Sequence, residues 1–72
     1  MKKLQIDLSG PDGNIFAIIG IVARKLQEVS GRPARNEFTT EALKCKDYDS
    51  ILDYAEKKCG ENDIELTFKN RK

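Results

Sequence analysis

The chain has 72 residues, of which 13 are basic, 12 acidic and none histidine, giving a formal net charge of +1. That length allows one domain, 1–72, with a small core, and the near balance of charge argues against a polyanion-binding surface. Lack of imidazole removes Ser-His and Cys-His nucleophilic pairs, imidazole metal ligands and the usual neutral-pH base, so the composition disfavours an enzyme and implies no cofactor.

Residues 2–8 alternate: Leu4, Ile6 and Leu8 face one way, and Lys3, Gln5 and Asp7 the other. This is a half-buried strand. Its basic start leads into alternation and not into the apolar core of a signal peptide. The turn Ser9-Gly10-Pro11-Asp12-Gly13-Asn14 follows, with glycines, a proline fixing the bend and Asn14 placed as a helix N-cap.

Asp7, Ser9, Asp12 and Asn14 bring oxygens together, but counting from Asp7 the sixth and twelfth positions are Asp12 and Ile18, where a calcium loop needs glycine and glutamate. A metal site is therefore not expected. An anion such as phosphate or a carboxylate is the better ligand for this corner, held by the backbone amides of Gly13, Asn14, Ile15 and Phe16. Against it stand Asp12 and the absence of a P-loop lysine. The corner reads first as architecture alone, with Asn14 capping the helix and Pro11 fixing the turn, and anion binding is the alternative.

The spacing predicts a helix over Ile15–Val29, stopped by Ser30-Gly31. Ile15, Ile18, Ile19, Val22, Leu26 and Val29 form its buried stripe, Phe16, Gly20 and Ala23 a second seam, and Ala17 and Ile21 an outer face. Its longest apolar run, Ile15 to Ala23, is far below the roughly 20 residues that cross a bilayer. A loop over Gly31–Arg35 leads to a shorter helix over Glu37–Lys44 with Asn36 as its cap. The last helix, Tyr48–Cys59, starts after Asp47 and stops at Gly60, with Tyr48, Ile51, Leu52, Ala55 and Cys59 on one stripe and Tyr54 off it. Cys45 and Cys59 read as reduced thiols packed at helix ends, in keeping with a cytoplasmic protein.

Ile64, Leu66 and Phe68 then alternate with Glu65, Thr67 and Lys69 in a second strand. The fold class is thus α+β, in the order β-α-α-α-β, with three helices packed on a two-stranded sheet of the terminal strands. Parallel pairing is favoured, because it sets Lys3 beside Glu65 and Asp7 beside Lys69. So small a sheet with open edges invites a second copy, so a homodimer is expected. Ile21 and Tyr54 are the candidate interface residues for the twin or another protein. The basic residues Lys2, Lys3, Lys69, Arg71 and Lys72, enlarged by Arg32 and Arg35, offer a merged patch for weak nucleic-acid binding, but without a stacking aromatic beside them.

The run Ile6-Asp7-Leu8-Ser9-Gly10-Pro11-Asp12-Gly13-Asn14-Ile15-Phe16-Ala17, with Gly20 after it and Asp47-Tyr48-Asp49-x-Ile51-Leu52 later, resembles a family of small proteins encoded in phage and prophage genomes. The resemblance covers most of the chain. It implies a small cytoplasmic α/β protein of phage type and brings no catalytic or binding residues with it.

Overall fold

The computed structural model describes residues 2–10 and 13–71. The readings that fall on Pro11 and Asp12 in the turn, and the Lys72 end of the basic patch, lie outside them. The element order is β1 (Lys2–Asp7), α1 (Ile15–Ser30), α2 (Arg32–Ala42), α3 (Tyr48–Glu61) and β2 (Ile64–Lys69). The two strands form one parallel sheet. Its register sets Lys3 beside Glu65, Leu4 beside Leu66, Ile6 beside Phe68 and Asp7 beside Lys69, so the residues of opposite charge fall side by side as expected of parallel strands. Parallel strands need a long crossover, and here all three helices supply it.

Only the inner face of the sheet is covered. Ile6 and Ile64 are buried, and Leu4, Leu66 and Phe68 pack partly against the helical core. Lys3, Gln5, Glu65, Thr67 and Lys69 are exposed. The core itself runs through Ile18, Val22 and Leu26 of α1, Phe38 and Ala42 of α2, and Leu52, Ala55 and Cys59 of α3. Phe38 stacks on Tyr54, with ring centroids 5.6 Å apart and the planes 5° from parallel.

The helix boundaries follow from their caps. Asn14 has extended backbone, and its Oδ1 accepts the Ala17 amide at 2.9 Å to open α1. Gly31, at φ 85° and ψ −179°, closes α1, and its amide donates to the Gln27 carbonyl at 2.9 Å. That backbone region is essentially reserved for glycine. One residue therefore reverses the chain, and α2 begins at once. The expected loop over 31–35 and the Asn36 cap are corrected here: Arg32–Asn36 are helical, Pro33 sits in the first turn where its missing N–H costs nothing, and α2 ends at Ala42.

Asp47 caps α3 by accepting the Ser50 amide at 2.8 Å. The helix runs through Gly60 to Glu61, and the left-handed residue that ends it is Asp63, at φ 60°. The second seam assigned to α1 also divides: Ala23 is buried, whereas Phe16 is 79% exposed and Gly20 has no atom within 4 Å of where a Cβ would sit.

Candidate functional site

Both strands run in the same direction, so their carboxyl ends meet at one corner of the molecule. Asp7 Oδ1 there accepts from the Ser9 amide at 2.9 Å, the Ser9 hydroxyl at 2.8 Å and Asn70 Nδ2 at 2.8 Å. Asn70 Nδ2 also reaches Ser9 Oγ at 3.2 Å. The Asn70 side chain, followed by the Ser9 amide and hydroxyl, holds the Asp7 carboxyl down at about 2. Asp7 is thus ionised at neutral pH and occupied with tying the end of β1 to the end of β2.

The chain then turns into α1. The Gly13 amide donates to the Gly10 carbonyl at 3.0 Å, and the Gly13 carbonyl accepts the Tyr48 hydroxyl at 2.5 Å. Tyr48 is half-buried at the start of α3, so one hydrogen bond anchors the corner to the last helix. Of the four amides considered for an anion, Gly13 is therefore spent inside the turn. The amides of Asn14, Ile15 and Phe16 follow at the helix start, with no acceptor among the described residues. A separate recess of about 240 Å³ is lined by Leu8, Tyr48, Asp49, Leu52, Asn70 and Arg71 and by none of these amides. The Arg71 charge is already committed: its guanidinium donates to Glu56 at 2.5 Å and Asp53 at 2.6 Å, and lies 5.9 Å from the Phe68 ring centre.

The parallel ladder also separates the basic ends. Lys2 pairs with Ile64 and Lys69 with Asp7, so Lys2 and Lys3 sit at one end of the sheet and Lys69 and Arg71 at the other, about 17 Å away at 3.3 Å per residue. The merged basic patch does not form among the described residues. Arg35 is exposed on α2 and donates across to Gln27 Oε1 of α1 at 2.7 Å.

The titratable groups with resolved shifts all move away from neutrality. Hydrogen bonds from Ser50 lower Asp47, and burial raises Tyr54 and pushes the Cys59 thiol up to about 11. The Glu37 and Asp53 carboxylates raise Lys58 and Arg71 respectively. General acid–base work at neutral pH needs the opposite displacement. No cluster of metal-ligating side chains occurs among the described residues, and both cysteines are free, Cys59 buried and Cys45 half-buried.

The surface offers more than the corner does. Among the described residues, Phe16 and Leu43 are the large apolar side chains left exposed, at 79% and 61%. Ile21 and Tyr54, the residues picked from sequence for an interface, are half-buried and pack against the core. Phe16 was hidden from sequence reasoning because an apolar residue beside the buried stripe carries the same periodic signal whether or not a neighbour covers it. Asn70 and Arg71 were missed as anchoring residues because polar terminal residues carry no periodic signal.

β1 also leaves an edge open. The Lys2 amide donates to Asp63 O at 3.1 Å and the Leu8 amide to Lys69 O at 2.9 Å. With a strand period of two, the amides and carbonyls of Lys3, Gln5 and Asp7 point away from β2. Beneath this edge a groove of about 260 Å³ is lined by Leu4, Ile21, Arg24, Lys25 and Glu28. The chain matches no protein-family model, no curated protein and no solved structure. No helix among the described residues is long and apolar enough to cross a membrane.

Proposed function

We propose that this chain is a small non-enzymatic interaction module of the cytoplasm, of phage or prophage type, that works as a homodimer. The observation that supports it best is the sheet: two parallel strands, one bare face and an edge of unpaired backbone groups. Parallel pairs are ordinarily covered on both faces, and two strands alone are marginal in water. A sheet this small gains most from being continued by another strand. Titratable groups shifted away from neutrality fit binding better than proton transfer. Phe16 and Leu43 leave further apolar surface for an unrelated protein partner.

Sedimentation equilibrium over a wide concentration range tests this reading. A reversible monomer–dimer equilibrium is expected, and a strict monomer at the highest attainable concentration overturns it.

A further inference from the structure

We infer that the twin docks edge to edge through β1, antiparallel, with Gln5 on the two-fold axis, so that the two sheets become one of four strands in the order β2-β1-β1-β2. This rests on the homodimer reading and specifies its surface. An isologous contact between the same edge of two copies must be antiparallel. The outward groups of Lys3, Gln5 and Asp7 then allow few registers. Sliding by one step either way sets Lys3 or Asp7 against the uncharged Gln5, and sliding by two sets Lys3 against Lys3 or Asp7 against Asp7. Pairing about Gln5 sets Lys3 of each copy opposite the partner's Asp7, twice.

The register extends a pattern already present within one chain. Lys3 lies beside Glu65 and Asp7 beside Lys69. Across four strands the outer face therefore reads Glu65, Lys3, the partner's Asp7 and the partner's Lys69, alternating in sign throughout. On the inner face the half-buried Leu4 comes beside the partner's Ile6, and the neighbouring strand covers the groove that Leu4 shares with Ile21. Ile21 thereby becomes part of the interface by being covered from above.

Pairing through β2 would alternate charge as well, so charge sets the register and the flanks choose the edge. β2 is bounded by Asp63 at φ 60° and Asn70 at φ 64°, which end its extended run on both sides. Asn70 and Arg71 then fold back onto Asp7 and α3, with Arg71 beside Phe68.

Gln5→Pro tests the edge. Proline at 5 removes an outward amide and leaves the ladder to β2 intact, the position at which an edge strand tolerates it. The wild-type chain is expected to be dimeric and the variant monomeric, with an unchanged far-UV circular dichroism spectrum. A folded Gln5→Pro dimer overturns the β1 edge while leaving the homodimer standing, and a monomeric wild type overturns both.

The double variant Lys3→Glu with Glu65→Lys covers the case in which the proline variant fails to fold. It preserves the charge pair within each chain and sets a carboxylate against the partner's Asp7 at two places. About tenfold weaker dimerisation at low ionic strength, recovering in high salt, is expected. Dimerisation unchanged by this swap overturns the register.

Discussion

Gly13 sits where any larger residue would drive its Cβ into the backbone of Leu8, just after β1. That atom would lie 2.2 Å from the Leu8 carbonyl oxygen and 2.8 Å from its carbon, and backbone cannot yield as a flexible side chain can. Gly13→Ala should therefore cost about 1–3 kcal/mol in chemical denaturation. Gly20→Ala should do the reverse and add about 0.5–1 kcal/mol, because Gly20 is helical with open space around it. Asp7 argues at the same scale through pH. Its carboxyl is depressed to about 2 in the fold by Asn70 and Ser9, against about 3.9 when unfolded. A depressed acid contributes stability that is fully present above the unfolded value and is lost as pH falls toward the folded one. Acid unfolding should steepen between about pH 4 and 2, and Asp7→Asn should flatten that segment while lowering stability at neutral pH. Cys59 supplies a contrast. With its thiol fully buried and pushed up to about 11, it should resist alkylation at neutral pH until the protein is denatured, whereas half-buried Cys45 should react in the native state.

Among the elements, α2 depends most on one residue. Gly31 ends α1 and starts α2 in a conformation that β-carbons disfavour, so Gly31→Ala should cost about 1–3 kcal/mol and lower the melting temperature. A melting temperature equal to that of the wild type would remove the hinge role. The same residue explains what the sequence disclosed and what it did not. Period-two alternation at both ends and the 3.6 period of α1 and α3 are local signals tied to burial, and they located four elements. The Lys3–Glu65 and Asp7–Lys69 pairs carried the parallel register. The start of α2 was hidden because Gly31-Arg32-Pro33 is equally good as a loop; only the φ of Gly31, set by α1 packing on α2, makes it a one-residue reversal. Gly60 misled for the opposite reason. A glycine after a helical stripe usually ends the helix, but here the chain continues to Glu61, and Asp63 takes the positive φ. At the corner, Asn14 as cap was legible from its position. The Tyr48 bond to Gly13 and the Asn70 bond to Asp7 join residues far apart in sequence, and no local pattern announces them.

At the scale of the whole molecule, β1 and β2 pair across some sixty residues of intervening chain, so the ladder depends on the packed helices that bring its ends together. The ties between distant segments are spread over the surface: Asn70 to Asp7, Ser30 to Asn62, Lys58 to Glu37, and Arg71 to Asp53 and Glu56. Exposed pairs of this kind contribute about 0–1 kcal/mol each, so the core must supply the cooperativity. Phe38 is its largest fully buried side chain, at 0% exposure, and the ring on which Tyr54 of α3 stacks. Phe38→Ala should lose about 3–5 kcal/mol. A chain of this size has about 4–11 kcal/mol in all, so the variant should lose a large part of its stability and melt well below the wild type. Phe38→Leu keeps most of the apolar volume and forfeits the stack, and should cost about 1–2 kcal/mol while leaving the fold intact. Helix content by circular dichroism and protection of the Leu4 and Ile6 amides by hydrogen exchange should fall together in Phe38→Ala, although Phe38 lies in neither strand. Survival of the strand protection without the helices would mean that the sheet stands alone, and the dependence of the ladder on the helical core would be wrong.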